Sequence, residues 1–247
     1  MSDAILLVDR LMKSFGGLRA TNDLSMTVLR GECHAIIGPN GAGKTTFISQ
    51  LQGMLQPDAG TISLDGRNIT PEPAHRRARL GIARSFQITS LVPDFSVLDH
   101  AALAVQARLG HSFRFWKNAR RDPALLDAAR EAVETVGLAD RADTLARDLS
   151  HGEARQLELA IAIAQKPRLL LLDEPMAGMG RKDGAAMTQL LARLKQDYSI
   201  ILIEHDMHAV FSLADRISVL VAGHIIKTDA PEVIRTDPDV RAAYLGH

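Results

Sequence analysis

Three features of the 247-residue sequence predict an α/β fold interrupted by a helical insertion. A glycine-rich loop at 38–46 lies between a β-type run at 33–37 and a helical pattern that ends near residue 51. Apolar β-type runs at 169–172, 200–203 and 217–221 are typical of parallel strands that are covered on both faces. Between about 97 and 149, apolar residues recur every three or four positions, which indicates helices.

The first 70 residues carry the pattern of short antiparallel strands. β-type runs at 5–8, 24–28 and 61–64 are separated by turn residues. We therefore expect a single domain with an α/β core and an inserted helical region.

Composition excludes several classes of protein. Hydrophobic residues make up 46% of the chain and charged residues 23%, which is typical of globular rather than disordered or fibrous proteins. The 29 Lys and Arg residues balance 29 Asp and Glu residues, so no net field attracts nucleic acid, and no nucleic-acid partner is expected. Cys33 is the only cysteine, which excludes an intramolecular disulfide. The longest apolar run, 159–164, is far shorter than the ~20 residues of a membrane span, so we expect a cytoplasmic chain.

The glycine-rich loop has the pattern of a phosphate-binding loop. It matches G-x-x-x-x-G-K-[ST] in the strand–loop–helix context that this motif requires. Backbone N–H groups would point at a phosphate, Lys44 would reach the β- and γ-phosphates, and the Thr45 hydroxyl would bind Mg²⁺. The predicted nucleotide-binding residues of the loop are Gly38, Pro39, Asn40, Gly41, Ala42, Gly43, Lys44, Thr45 and Thr46. The loop predicts binding of a nucleoside triphosphate and leaves kinases, GTPases and transport ATPases open.

Two carboxylates follow the apolar run at 169–172. Asp173 is suited to holding Mg²⁺, directly or through water, and Glu174 could polarise the water that attacks the γ-phosphate. Because strand carboxyl ends line the ligand crevice in open α/β sheets, we expect both carboxylates near the phosphate loop.

Together with further segments, these motifs resemble the nucleotide-binding subunit of an ABC transporter. The sequence Leu-Ser-His-Gly-Glu at 149–153 is similar to the family's LSGGQ signature. Gln87 matches the Q-loop and His205 the H-switch, and Phe15 lies where the family stacks an aromatic ring on adenine. The resemblance implies a P-loop NTPase core with a mainly parallel sheet, an N-terminal antiparallel β subdomain and an inserted α-helical subdomain. Within a single ABC ATPase domain of 1–247, it implies an ATP-binding core at 1–86 and 158–247 and a helical subdomain, with the Q-loop and the signature, at 87–157.

The resemblance also implies ATP and Mg²⁺ as cofactors. The implied catalytic set is Glu174, His205 and Gln87, and the implied Mg²⁺ set is Thr45, Gln87 and Asp173.

The resemblance also implies that two ATP-binding subunits work as a homodimer or heterodimer. The signature of one subunit would close on the ATP held by the other, through Ser150, His151, Gly152 and Glu153. Two of these residues depart from LSGGQ: His151 replaces a glycine, and Glu153 replaces a glutamine and adds a negative charge near the phosphates. The D-loop at 176–180 contains no acid where the family usually has Asp. We therefore expect communication between the two ATP sites of the dimer to be weaker or to use different residues.

The form of the signature resembles the importer subfamily for branched-chain and other hydrophobic amino acids, with urea-type importers as near relatives. The segments 73–87 and 243–246 resemble it as well. This implies two membrane permease subunits, an extracytoplasmic solute-binding protein and a peripheral position on the cytoplasmic face of the inner (plasma) membrane. Partner contacts are expected at 87–91 and on the helical lobe. The lipopolysaccharide-export ATPase shares the last two segments and is the alternative within transport.

Two other functional classes match the sequence less well. Soluble ABC ATPases that act on DNA or ribosomes tend to carry long coiled coils or two nucleotide-binding units, and neither is found in this sequence. A phosphotransferase built on the same loop would leave the signature unexplained. The segment 110–121 combines four basic residues with three aromatic ones, and we interpret it as a solvated excursion of the helical lobe rather than a membrane-facing patch.

Overall fold

The computed structural model describes residues 3–85, 91–109 and 122–242. The strands along these residues are β1 (Ala4–Phe15), β2 (Leu18–Leu29), β3 (Cys33–Ile37), β4 (Ala59–Leu64), β5 (Arg67–Asn68), β6 (Ile82–Arg84), β7 (Leu169–Asp173), β8 (Ser199–Ile203), β9 (Arg216–Val221) and β10 (His224–Asp229). The helices are α1 (Lys44–Gln52), α2 (Ala74–Leu80), α3 (Val97–Leu109), α4 (Pro123–Thr135), α5 (His151–Ala164), α6 (Arg181–Leu194), α7 (Met207–Leu213), α8 (Pro231–Thr236) and α9 (Pro238–Val240).

The larger sheet is mainly parallel, as predicted. Its strand order is β10-β9-β3-β8-β7-β6, and β10 is the antiparallel strand, at the edge next to β9. Ile203 of β8 lies opposite both Ile36 of β3 and Asp173 of β7. The three central strands therefore end at the same edge of the sheet, which is where the predicted site residues follow.

The apolar run of β7 is explained by burial on both faces. Leu169 and Leu171 pack into one hydrophobic core, which also contains α1 and the smaller sheet, whereas Leu170 and Leu172 pack into the core shared with the helical lobe. All five residues of β7 are buried. Because residues 169–172 lie between two cores, all four are apolar, and this removes the alternation seen in half-exposed strands.

The smaller sheet is antiparallel, with the order β2-β1-β4-β5. β1 and β2 each have 12 residues and extend well beyond the predicted runs at 5–8 and 24–28. Irregularities in register interrupt their pairing, so the apolar alternation holds for only part of each strand. The N-terminal antiparallel subdomain is confirmed, but its strand lengths were underestimated and β5 was not predicted.

The helical lobe is formed by α3, α4 and α5, which pack against one another. Between α4 and α5, residues 139–141 and 146–148 form short 3₁₀ turns. The predicted boundary between residues 157 and 158 falls inside α5, so the division into core and helical subdomain stays a prediction. Across the described residues, no helix has both the length and the hydropathy that a bilayer span needs.

Candidate functional site

The predicted phosphate loop joins the carboxyl end of β3 to the start of α1. Close backbone contacts require two of its glycines, because a Cβ atom on Gly38 would lie 2.0 Å from the carbonyl oxygen of Leu220 and one on Gly43 would lie 2.1 Å from that of Ala20. Gly43 also has a φ of 107°, in the left-handed region that favours glycine. The turn that these glycines permit presents the first N–H groups of α1 to the loop.

The Lys44 side chain is buried and folds over the loop. Its Nζ donates to the carbonyl oxygens of Gly38 at 2.6 Å and of Pro39 at 3.0 Å. Burial lowers the pKa of Lys44, and the charges of Glu174 and Asp173 oppose that shift. The lysine therefore lies in the electric field of both predicted carboxylates.

Asp173 ends β7 and is almost completely buried. Its Oδ2 accepts a hydrogen bond of 2.7 Å from Nη2 of Arg84, which ends β6 and also donates to Oε1 of Gln52 at 3.0 Å. Burial raises the pKa of Asp173, while the charges of Arg84 and Lys44 lower it. Arg84 was not predicted from the sequence; its signal is a charged residue directly after the apolar pair 82–83, three positions before Gln87.

Glu174 and His205, which the family resemblance assigns to catalysis, lie side by side in the structure. Nε2 of His205 lies 2.7 Å from Oε1 of Glu174. The backbone of Glu174 is left-handed, with a φ of 52°, and its N–H donates to the carbonyl oxygen of Ile203 at 2.9 Å. The carboxylate is thus held beside the imidazole where β7 and β8 end. A carboxylate in this setting can accept a proton from a water molecule.

Glu204 is a buried carboxylate that sequence reasoning missed. Its Oε1 accepts from the N–H of Met176 at 2.9 Å, and its Oε2 accepts from the N–H of His205 at 2.8 Å. Glu204 therefore holds the backbone next to both members of the Glu174–His205 pair. Its signal in the sequence is an acidic residue that directly follows the apolar run 200–203 of a fully buried strand.

The signature segment forms the capped start of α5. The Ser150 side chain accepts from the N–H of Glu153, and Oε2 of Glu153 accepts from the N–H of Ser150 at 2.8 Å, which completes a capping box. Oε1 of Glu153 lies 3.0 Å from Nε of Arg141, so the negative charge expected near the phosphates is paired. Among the described residues, no hydrogen bond or ion pair joins 150–153 to the loop at 38–46.

His151 is exposed and contacts the D-loop of its own chain. Its Nε2 lies 3.3 Å from the carbonyl oxygen of Ala177. Gly178 has a φ of 76°, and a Cβ atom there would lie 3.3 Å from the same nitrogen. The histidine that replaces glycine in the signature is thus accommodated at the surface, beside the segment that follows Glu174.

Phe15 lies at the tip of the β1–β2 hairpin, where it pairs with Leu18. Its ring is half exposed, with Nζ of Lys13 5.8 Å from the ring centroid. The hairpin reaches the phosphate loop through β2, since the carbonyl oxygen of Ala20 packs against Gly43. An exposed ring at this position is compatible with stacking on a base.

Part of the predicted site lies outside the described residues, namely Gln87, the contact loop 87–90, and the segments 110–121 and 243–246.

Thr45 and Asp173 supply hydroxyl and carboxylate oxygens, which are the ligands that Mg²⁺ prefers. No group of three or more His, Cys, Asp or Glu side chains that could hold a metal occurs in the described residues. A magnesium ion here would need phosphate oxygens as well, which is its usual mode of binding with nucleotides.

Known proteins match this chain over its whole length. The family model described as ABC transporter matches residues 21–177. The high-affinity branched-chain amino acid transport ATP-binding protein LivG of Salmonella typhimurium is 37% identical over 255 residues, which covers 100% of this chain and 99% of the relative. The protein of the same description from Pseudomonas aeruginosa, BraF, is 38% identical over 255 residues with the same coverage.

Solved structures of ATP-binding cassettes from ABC transporters also match almost the whole chain. An ATP-binding cassette of an ABC transporter in its ADP conformation has a TM-score of 0.87 and 26% identity, covering 99% of each chain. A nucleotide-free ATP-binding cassette has a TM-score of 0.87 and 26% identity, covering 99% of this chain and 100% of the other. These matches confirm the predicted α/β fold and the prediction that the chain is an ATP hydrolase. The chain belongs to the ABC transporter family, as one of its ATP-binding subunits.

Proposed function

We propose that this chain drives the import of branched-chain amino acids by binding and hydrolysing ATP. The observation that carries the proposal is the Glu174–His205 pair, which lies at the sheet edge shared with the phosphate loop. Lys44 lies in the field of Glu174 and Asp173, so the phosphate-binding and acidic groups face one site. The cargo is suggested by the full-length similarity to two relatives named for branched-chain amino acid transport.

In this proposal each residue of the site has a separate task. The loop at 38–46 and Lys44 bind the phosphates, and Phe15 stacks on adenine. Glu174 accepts the proton of the attacking water, and His205 orients Glu174 through their hydrogen bond. Thr45, Gln87 and Asp173 would hold Mg²⁺, which neutralises charge on the phosphates.

We propose that the working form is a dimer, homomeric or heteromeric. The signature is capped and makes no contact with its own phosphate loop among the described residues, which favours a role at the site of a second subunit. The first N–H groups of α5 can bind a γ-phosphate and complete its coordination, so that ATP joins the subunits. Hydrolysis would then release them, because only the triphosphate contacts both subunits.

The further partners would be two membrane permease subunits and an extracytoplasmic solute-binding protein, with this chain at the cytoplasmic face of the inner membrane. Residues 87–91 and the helical subdomain, 87–157, are the proposed permease contact, and 1–86 with 158–247 is the proposed ATP-binding core. Urea-like solutes are a second candidate cargo. Export of lipopolysaccharide is the alternative transport process.

Uptake of radiolabelled leucine tests the proposed cargo. Cells that lack the gene should regain uptake with the wild-type chain and not with Glu174→Gln. The exposed residue Glu232 on α8 provides a matched control, since Glu232→Gln removes the same charge outside the proposed permease contact and should restore uptake. Restoration of urea uptake without leucine uptake would contradict the branched-chain assignment.

A further inference from the structure

The signature of this chain has the acidic residue Glu153 at the position where the LSGGQ pattern has a neutral glutamine. Two carboxylates lie at the first turn of α5: Glu153 belongs to the turn, and Asp183 packs against Gly152, with its Cγ 3.5 Å from where a Cβ on Gly152 would be. A γ-phosphate that approaches the N–H groups of this turn would be repelled by both. The charge of the turn therefore bears directly on whether the signature can bind a phosphate.

Arg141 is a cation that lies beside this turn. Its Nε is 3.0 Å from Oε1 of Glu153, and its Nη2 donates to the carbonyl oxygen of Asp148 at 3.5 Å. Arg141 belongs to the 3₁₀ turn at 139–141, which follows α4. The arginine thus links the end of α4 to the segment that leads into the signature.

The pair leaves the cap of α5 intact. Glu153 uses Oε2 to accept from the N–H of Ser150 and uses Oε1 toward Arg141, so the two interactions do not compete. The hydrogen bond from Ser150 and the charge of Arg141 both lower the pKa of Glu153, which therefore keeps its negative charge near neutral pH.

We propose that Arg141 is a positioning residue of the signature, which neutralises Glu153 so that the start of α5 can accept the γ-phosphate of ATP bound to a second subunit. The inference rests on the dimeric function proposed above. As a partly exposed ion pair, Arg141–Glu153 contributes little to the stability of the fold. Its effect belongs to the ATP-bound dimer, in which an unpaired Glu153 would face a phosphate.

A double-mutant cycle in the full-length chain tests this role. All variants carry Glu174→Gln, which should stop hydrolysis, and the readout is the Mg-ATP concentration that gives half-maximal dimer formation, measured by light scattering. Arg141→Ala should raise that concentration at least about tenfold. Glu153→Gln keeps the capping box, since glutamine can replace glutamate there, and removes the charge. In the Arg141→Ala background it should return the concentration to within about threefold of the Glu153→Gln variant.

Arg130→Ala is the matched control, because it removes an exposed arginine of the same lobe that pairs with Asp127 at 3.3 Å, and it should leave dimer formation unchanged. If Arg141→Ala behaves like the parent, or if Glu153→Gln fails to rescue it, Arg141 does not act by neutralising Glu153. If the parent with Glu174→Gln does not dimerise with Mg-ATP at all, the proposed dimeric function fails instead, so the two failures are distinguishable.

Discussion

At the scale of single residues, the geometry of Glu174 is the most informative feature. Its left-handed backbone, with a φ of 52°, costs roughly 1–2 kcal/mol for a residue other than glycine. The hydrogen bonds of Glu204 to Met176 and His205 fix the backbone on both sides of the pair. The fold thus accepts local strain where the carboxylate meets His205, which is typical of functional sites.

Loss of the imidazole should slow hydrolysis without weakening ATP binding. His205→Ala removes the hydrogen bond to Glu174 and leaves Lys44 and the loop unchanged, so kcat should fall about 100-fold or more. Steady-state ATPase assays and titration with a fluorescent ATP analogue separate the two effects. His208→Ala, at an exposed position of α7, is the matched control. A loss of nucleotide affinity as large as the loss of kcat would contradict the assigned role.

The residues that belong to motifs were predictable, and the residues that support them were not. Lys44, Asp173 and Glu174 stand in fixed local patterns whose chemistry is readable from the sequence. Arg84 and Glu204 act through contacts made by strand pairing, and nothing in their immediate neighbours indicates a partner. The pairing of Glu153 with Arg141 is of the same kind, which is why the sequence suggested an unpaired charge there.

At the scale of secondary-structure elements, α1 is held at both ends. Its start is the phosphate loop, and its end is bound by Arg77, a fully buried arginine of α2. Nη1 of Arg77 donates to the carbonyl oxygens of Gln50 at 2.6 Å and Leu51 at 2.9 Å, and Nη2 donates to that of Thr70 at 2.7 Å. Burial lowers the pKa of Arg77 to about 10. Because this value is still well above 7, the guanidinium stays charged at neutral pH.

Substitution of this arginine should destabilise the core. Arg77→Met leaves several buried carbonyl oxygens without a donor, and the free energy of unfolding should fall by about 3 kcal/mol or more. Urea denaturation measures the change. Arg76→Met, at the neighbouring exposed position, should cost less than about 0.5 kcal/mol. Equal effects of the two substitutions would show that Arg77 does not stabilise the end of α1.

A buried polar cluster connects the first strand of the large sheet to β9. Oε1 of Glu32 lies 2.6 Å from Nε of Arg216 and 3.0 Å from Nδ1 of His34, whose Nε2 lies 2.8 Å from Oγ of Ser218. Burial alone would raise the pKa of Glu32, but the hydrogen bonds from His34, Arg216 and the N–H of Leu29 outweigh it and lower the pKa to about 2.

This cluster should stabilise the fold above about pH 4.5 and lose its effect below. Because the pKa of Glu32 is depressed in the folded state, its contribution is present above the unfolded value of 4.5 and disappears as the pH falls toward 2. The contribution is at most on the order of 3 kcal/mol. Glu32→Gln should therefore flatten the acid limb of unfolding free energy against pH, measured by urea denaturation. The same acid limb in wild type and variant would contradict this assignment.

Strands with a continuous apolar run were predicted from the sequence, whereas the short strand β6 and the edge strand β10 were missed. β3, β7 and β8 are buried on both faces and read as apolar runs. β6 has three residues, too few for any periodicity, and β10 is an edge strand that is largely exposed. Both form because neighbouring strands offer them a pairing partner, which local sequence cannot reveal.

At the scale of the whole molecule, the two proposed halves of the ATP site lie on different parts of one chain. The phosphate loop, Asp173, Glu174 and His205 lie along one edge of the large sheet, whereas the signature caps α5 of the helical lobe. His151 links the signature to the D-loop that follows Glu174 in the same chain, at 3.3 Å from the carbonyl oxygen of Ala177. This contact connects the signature to the segment that follows Glu174, the proposed catalytic carboxylate, in a D-loop without an acid.

The most direct test of ATP-dependent pairing is the mass of the Glu174→Gln variant in solution. Light scattering after size exclusion should give the monomer mass without nucleotide and twice that mass with Mg-ATP, because the unhydrolysed γ-phosphate keeps both subunits bound. Addition of Lys44→Ala to the same chain should prevent the doubling of mass with Mg-ATP, since the phosphates lose the lysine that binds them. A monomer mass at saturating Mg-ATP, with nucleotide binding confirmed in the same sample, would contradict the proposal that two copies share the triphosphate.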